Sequence, residues 1–513
     1  MTGKVWLVGA GPSDVGLLTI KGKEVLQKAD VVVYDALVGS GILALIPPEA
    51  ETINAGKRAS NHLLRQEQTN EILLQKALEG KRVVRLKGGD PFLFGRGGEE
   101  LELLSQHGVP YEVVPGVTSA ISVPAYCGIP VTHRDYCSSV HIITGHKKKN
   151  EPLDIPFRAL AETGGTLVFL MGISNLREIC TGLIRGGMPE DMPAAVLQKG
   201  TTAEQRTLVA DLATLPDRAE EEKVEMPAII VVGRVCTLSA RFSWAEKLPL
   251  FGCRVAVTRP RQRAGTLSGR LAELGAQVIE VPTIRTRALE NNRALFRALE
   301  EIETYRWLVF TSTAGVEVFF HGLLEAGRDV RCLANAGFAA VGSGTAAALR
   351  QYGIAADLIP RVSDGEHLAQ AMAEKLCPGD RILIPRARVG GQALTEGLKA
   401  VPGVEVTDLP VYETVLEKPE TPDLVKEFTE HPQTVAVFTS ASTVRGFAAA
   451  AEGLDLRNVT ALCIGSQTAG AARELGMQTK TAEKATIDAL VALVEAHHGI
   501  RMESFDSGVS KWK

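Results

Sequence analysis

At 513 residues the chain is too long for one hydrophobic core, and ordinary domain sizes imply roughly three to four globular units. Apolar residues make up 45% and charged residues 23%, which is soluble-globular composition. A formal net charge of −4 supplies no general basic field, so neither nucleic acid nor an anionic membrane is indicated as partner, and any polyanionic ligand must be met locally.

The opening MTGKVWLVGAGP is a short apolar run leading directly into a glycine turn, and it reads as a first β-strand rather than a signal peptide. GAGPSDVG looks like a dinucleotide fingerprint. Asp14, however, stands where a small third residue is needed, and Pro12 removes a donor, so a nucleotide-phosphate cradle is not expected. VVVYDALV from Val31 is a second strand, whose terminal Asp35 either faces the ligand crevice of an open α/β sheet or caps the next helix. Lys57 and Arg58 lie in a turn-like AGKRASNH, either as a solvated pair or as part of a set with Arg85, Lys87, Arg96 and Arg134. Such a set would suit a substrate carrying several carboxylates.

The most informative stretch runs from Val83 to Glu100, VVRLKGGDPFLFGRGGEE. A strand enters two glycines, Gly88 and Gly89, which let main-chain groups approach a ligand, and Pro91 prevents re-entry into helix behind them. A tight strand-to-helix turn is the alternative. His133-Arg134-Asp135 spells a kinase triplet with none of its companions, and His141 and His146 flank a strand without further ligands in register, so no metal is expected. TLVFLMG from Thr166 and AIIVVG from Ala228 continue the α/β alternation of buried strands and helices.

Periodicity lapses at about residues 236–251, which marks a domain junction. The second half then repeats itself: VFTSTAGV from Val309 returns as VFTSASTV from Val437, and VGSGTAAALRQYG from Val341 as IGSQTAGAARELG from Ile464. Two similar α/β lobes follow, each with strands ending in hydroxyl residues at helix starts, where they either cap the helix or hold anions. The eight cysteines are scattered singly, as reduced and mostly buried thiols would be. No run is long enough to span a bilayer, so a cytoplasmic location is expected. From His497 to Lys513 the pattern suggests a frayed tail.

Over residues 2–240 these motifs, with VVYDALV, GKR, VVPGVTSA, GIPVTHRDY, KGTTAEQRT and PAIIVVG in order, resemble uroporphyrinogen-III C-methyltransferase. The resemblance implies the two-lobed α/β tetrapyrrole methylase fold, distinct from Rossmann methyltransferases, and S-adenosylmethionine (S-adenosyl-L-methionine) as cofactor. It implies Pro12, Gly88, Gly89, Asp90, Leu93, Thr118, Ser119, Met171, Gly200 and Ala228 as cofactor-binding, Asp35 as proton acceptor and Lys57 as proton donor. Arg58, Arg96 and Arg134 would meet substrate carboxylates. Ser13, Asp14 and Val15 depart from the usual Gly-Pro-Gly-Asp turn, and Gln68-Thr69 replaces a more usual acidic-aliphatic pair.

Residues 250–500 resemble uroporphyrinogen-III synthase, whose marks are the paired Thr-Ser strand ends and the VYET at Val411. That resemblance implies a two-lobed α/β fold, one lobe from 251–283 with 411–500 and the other from 284–410, after a linker at 241–250 and before a flexible tail at 501–513. Tyr412 would then be catalytic or a packing residue. Thr258, Arg259, Thr311, Ser312, Ser343, Thr345, Arg386, Thr439, Ser440, Ser466 and Thr468 would grip acetate and propionate groups. The resulting expectation is a bifunctional tetrapyrrole enzyme, dimeric through its first half. The alternatives are a later precorrin methylase in that half, or a non-catalytic tetrapyrrole-binding module in the second.

Overall fold

The computed structural model describes residues 2–56, 65–146, 153–258, 261–417 and 422–506. Within them the alternating buried runs form four five-stranded sheets. The first contains β1 (Lys4–Gly9), β2 (Val31–Tyr34), β3 (Glu51–Asn54), β4 (Arg82–Lys87) and β5 (Tyr111–Val114), in the order β3-β2-β4-β1-β5 with every pairing parallel. Its strands are apolar on both sides because both faces are covered. Val8, Val32, Val84 and Leu86 enter one core cluster, while Val5, Leu7, Val31, Val33 and Val83 enter another.

The second sheet holds β6 (Val140–Thr144), β7 (Thr166–Leu170), β8 (Pro193–Gln198), β9 (Arg206–Asp211) and β10 (Ala228–Val232), ordered β6-β7-β10-β8-β9. Only β6 and β7 pair in parallel. The helix Ser119–Tyr126, which leaves β5, places Ala120 and Val123 in the same cluster as Val168, Leu197 and Ile229, and so joins the two sheets through apolar contact.

The 241–250 stretch is not a free linker. Trp244 Nε1 donates to the Ala125 carbonyl at 3.0 Å, Glu246 Oε1 accepts from Gln205 and Thr207, and Leu250 is fully buried beside Val255 and Val257. The chain then forms β11 (Arg254–Val257) and β12 (Gln277–Glu280). It next builds β13 (Ile284–Ala288), β14 (Trp307–Phe310), β15 (Gly337–Ala340), β16 (Arg381–Ala387) and β17 (Glu405–Leu416). It returns with β18 (Val435–Phe438), β19 (Thr460–Cys463) and β20 (Gln478–Thr481).

The outgoing and returning strands make a parallel sheet β12-β11-β18-β19-β20, and those between them make β13-β17-β16-β14-β15. Residues Ile284–Glu417 form one compact unit, and Met1–Thr283 with Lys418–Lys513 form the other. The lobe boundary expected at Val411 therefore falls after Glu417. β17 runs unbroken to Leu416, which pairs with Ile284, and this keeps Tyr412 with the 284–417 unit.

The C-terminal stretch is likewise more ordered than its composition suggests. A helix runs from Ile487 to Asp506, buries Leu490 and Val494 against Val255, and sets the His498 ring nitrogen 2.8 Å from the Phe251 carbonyl. Residues 507–513 lie outside the described chain. No helix among the described residues is long and apolar enough to cross a membrane.

Burial pushes the thiols of Cys127 and Cys180 up to about 12 and that of Cys463 up to about 11, whereas Cys377 is exposed. An aromatic disulfide reagent at pH 8 is expected to label Cys377 rapidly in native protein and those three only after denaturant, as read by mass spectrometry of peptides.

Candidate functional site

All five strands of the first sheet end at one edge, and the strand order reverses direction between β4 and β1, the place where open parallel sheets hold ligands. The two loops that leave those strands are tied together. Gly89 N–H donates to the Gly11 carbonyl at 2.8 Å and Gly11 N–H to the Gly89 carbonyl at 3.1 Å. Gly89 has φ +68°, a conformation that favours glycine, and a Cβ there would be in ordinary contact with its nearest neighbour, the Ser119 nitrogen at 3.9 Å. This is the loop expected to cradle the cofactor, and at Gly89 it presents main chain alone. Asp90 builds its wall: Oδ1 accepts from Phe92 N at 2.8 Å and Leu93 N at 3.1 Å, and Oδ2 from Gly116 N at 3.0 Å. Thr118 is the N-cap of the helix beginning at Ser119.

The second sheet contributes Met171 after β7, Gly200 after β8 and Ala228 at the start of β10. A side chain at Gly200 would run into Val123 of the helix that follows Ser119. Thr201 Oγ1 donates to the Pro12 carbonyl at 2.6 Å, which links this loop to the first. Backbone strain gathers on the same loops. Six of the eight described non-glycine residues at positive φ are Ser13, Phe94, Arg96, Met171, Lys199 and Thr201. Each such residue costs about 1–3 kcal/mol and persists only where its surroundings over-determine it.

Ser13, at φ 112°, occupies the position where the methyltransferase pattern has glycine, and its conformation explains that preference. Ser13→Gly is expected to raise stability by about 1 kcal/mol in denaturant titration. Asp14 is engaged on both oxygens, by Gly16 N at 2.7 Å and Tyr126 OH at 2.6 Å. Burial, with that carboxylate, pushes the Tyr126 phenol up.

Asp35 does not cap the following helix, whose N-cap is Gly39 without a side-chain bond. Its Oδ1 instead accepts from Arg85 Nη2 at 2.5 Å. Arg85 and Lys87 are one pleat apart on β4 and share a face, and both donate to Glu100 Oε1 at 2.9 Å, joined by Gln66 Nε2 at 3.1 Å. Glu100 is fully buried, and its Oε2 has no hydrogen-bond partner among the described residues. Burial, then the adjacent Arg85, hold the Lys87 ammonium below its ordinary range. Arg85 and Lys87 are thus interior ion-pair partners and not free cations for a substrate. Arg96 and Arg134 are exposed, Arg96 pairing with Glu99, while Lys57, Arg58 and Arg259 lie outside the described residues.

In the 284–417 unit, Ser312 caps the helix Thr313–Glu325, accepting from Gly315 N at 3.0 Å, and its Oγ stands 2.9 Å from the Tyr412 hydroxyl. Tyr412 is 8% exposed. Thr311 precedes the cap, half-buried. Ser343, exposed, is the first residue of a helix whose N-cap is Gly342, and Thr345 is buried. Arg386 does not match the expected grip on propionate. It is buried, and its Nε and Nη2 hold Asp408 at 2.5 and 2.6 Å in a bidentate pair.

The echo in the other unit has the same two kinds of helix start: Ser440 caps Ala441–Ala450 after Thr439, and Gly465 precedes exposed Ser466 and buried Thr468. Thr258 is fully buried and donates to the Val437 carbonyl at 3.0 Å, so it acts in packing rather than as a free hydroxyl. Glu100, Gln66 and Thr201 escaped sequence reasoning. The only trace of them was the spacing from the glycine loop to GEE and the Thr beside Gly200.

Known families match successive parts of the chain. A model of tetrapyrrole (corrin/porphyrin) methylases matches residues 4–216, and one of uroporphyrinogen-III synthase HemD matches 265–492. A porphyrin biosynthesis protein HemD of Ruminiclostridium josui is 47% identical over 95% of this chain and 97% of its own length. A uroporphyrinogen-III C-methyltransferase of Bacillus subtilis (strain 168) is 42% identical over 64% of this chain and 68% of its own. A solved uroporphyrin-III C-methyl transferase from Thermus thermophilus, complexed with S-adenyl homocysteine, is 40% identical over 46% of this chain and 99% of its own, with TM-score 0.40. The paired glycine loops over the first sheet lie within the first of these matches and the duplicated Thr-Ser strand ends within the second, and the chain belongs to the porphyrin biosynthesis HemD family, a tetrapyrrole methylase fused to a uroporphyrinogen-III synthase.

Proposed function

We propose that the second half closes hydroxymethylbilane to uroporphyrinogen III and that the first half methylates this product at C2 and C7 to precorrin-2. The observation that carries the methylase reading is the Gly11–Gly89 loop pair at the sheet's switch point, with a carboxylate, Asp35, held by Arg85 on the same edge. Bound in that cradle, S-adenosylmethionine would supply an electrophilic methyl group on sulfur. The main chain of Gly88, Gly89 and Asp90, with Pro12, Leu93, Thr118, Ser119, Met171, Gly200 and Ala228, would hold it. The residues fit such a group because Gly89, at φ +68°, presents bare main chain beside the Ser119 nitrogen at the sheet's switch point.

Methyl addition makes the attacking, already substituted pyrrole carbon quaternary and leaves the ring cationic. Asp35 takes up the proton that the macrocycle then loses from another ring atom, and Lys57 donates a proton where the ring double bonds rearrange, while the glycine-bounded walls fix the angle of approach. Arg85 keeps the Asp35 carboxylate in one orientation. Arg58, Arg96 and Arg134 meet the acetate and propionate groups of the macrocycle. In the second half, the Tyr412 hydroxyl, bonded to Ser312, is the proton source for departing water. The exposed Ser343 and Ser466 grip carboxylates. The protein works in the cytoplasm as a homodimer through its first half.

Full-length protein given hydroxymethylbilane and S-adenosylmethionine is expected to yield type III isomer and a product heavier by two methyl groups, resolved by chromatography and mass. Asp35→Asn should lower methyl transfer by about 10²–10⁴-fold and leave S-adenosylhomocysteine affinity unchanged. Tyr412→Phe should lower the ratio of type III to type I isomer without touching methylation. Type I isomer alone with no methylated product overturns the reading, and turnover of precorrin-2 in place of uroporphyrinogen III reassigns the first half to a later methylation.

A further inference from the structure

The loop 199–205 is strained on both sides of Gly200: Lys199 has φ 46° and Thr201 φ 65°. Some of its restraints are local. Thr201 N donates to Gln205 Oε1 at 2.9 Å, and Thr202 Oγ1 to the Lys199 carbonyl at 2.7 Å. Others come from far along the chain. Ala203 N donates to Gln277 Oε1 at 2.9 Å, an oxygen that also accepts from Arg254 Nη1 at 3.0 Å, and Glu204 Oε1 lies 2.8 Å from His431 Nδ1 while its other oxygen pairs with Lys199.

The same distant elements reach the loop behind Asp35. Ser40 Oγ donates to Glu427 Oε2 at 2.8 Å, Glu427 is paired with Arg254 in a buried site, and a Cβ on Gly41 would stand 3.0 Å from the Val278 carbonyl. Strand β12 and the helix Leu424–Glu430 with His431, all parts of the synthase half, therefore hold both the loop carrying Gly200 and the helix that follows Asp35.

We propose that this part of the second half is a positioning element for the methyl-donor loop of the first, with Gln277 and His431 as its positioning residues. The inference rests on the assignment of Gly200, in this loop, to donor binding made above. A strained loop stays in place only if enough partners fix it, and here two of those partners belong to the other enzyme of the fusion. Removing them lets the loop relax away from the Pro12 carbonyl and from Val123, so the donor must re-order the loop on binding.

Full-length Gln277→Ala and His431→Ala would be compared with the parent by calorimetric titration of S-adenosylhomocysteine, by kinetics with saturating tetrapyrrole, and by amide hydrogen exchange of 199–205. The expected result is affinity weakened by about 5–10-fold, a matching rise in KM for S-adenosylmethionine with little change in kcat, and faster exchange in the loop. Gln277→Glu, which keeps the acceptor for Ala203 N and Arg254, should restore all three. Isomer formation by the second half monitors its fold, and Ser40→Ala, which removes one hydrogen bond only, provides a variant with minimal disturbance. Affinity within twofold of the parent together with unchanged exchange in 199–205 overturns the proposal. If the parent itself takes up no S-adenosylhomocysteine, the donor assignment has failed, and loop exchange alone decides whether the second half restrains 199–205.

Discussion

Replacing Glu100 by alanine should destabilise the first half by about 3–5 kcal/mol, measured as the shift of its denaturant transition, because it leaves Arg85 and Lys87 inside the protein with their shared acceptor gone. The two cations are 3% exposed each, so water cannot replace the lost carboxylate without opening the core. Glu100→Gln keeps an acceptor for Arg85, Lys87 and Gln66 but removes the charge, and its loss should fall between those of the parent and the alanine variant. Function should follow geometry. With Arg85 no longer held from behind by Glu100, its grip on Asp35 slackens, and kcat for methyl transfer should fall further than donor affinity. Equal stability of Glu100→Ala and parent would show that the buried network is not what it appears from its distances.

Gly89→Val should abolish detectable uptake of S-adenosylhomocysteine. The residue sits at φ +68°, where a Cβ costs about 1–2 kcal/mol, and a branched side chain would fill the gap toward the Ser119 nitrogen. Gly89→Ala isolates the conformational part. Strain of that size alone, if relieved only by opening the loop pair, corresponds to an affinity loss of about 10-fold or somewhat more. Isothermal titration against the parent separates the two, and a Gly89→Val protein that binds as the parent does would remove the cradle from the methylase site.

Much of this molecule is a local property of its residues. A run such as VVVY had to become a strand covered on both faces, since both phases of the two-residue period are apolar, whereas VVRLK had to be a strand with one apolar phase, Val84 and Leu86. Gly88-Gly89-Asp90-Pro91 had to be a strand-to-loop turn with bare main chain, because few other residues reach those angles. The echoed VFTS and Gly-Ser segments had to be strand ends feeding helices, and the structure caps Ser312 and Ser440 alike.

What each polar side chain faces is not local. Period two put Arg85 and Lys87 on one face of β4 but left that face unassigned, and only the docking of the helix Gly97–Gln106 made it the interior. Arg386 reads as a cation for substrate until β16 and β17 pair and bring Asp408 alongside. The boundary at Val411 failed for the same reason, because a strand ends where its partner ends, and the partner, β13, begins more than a hundred residues earlier in the chain. Composition and spacing thus specified the elements and where bare backbone is presented, whereas charge pairing, burial of Glu100 and the hold of Gln277 and His431 on a distant loop arose from contacts that exist only once the sheets and helices have assembled.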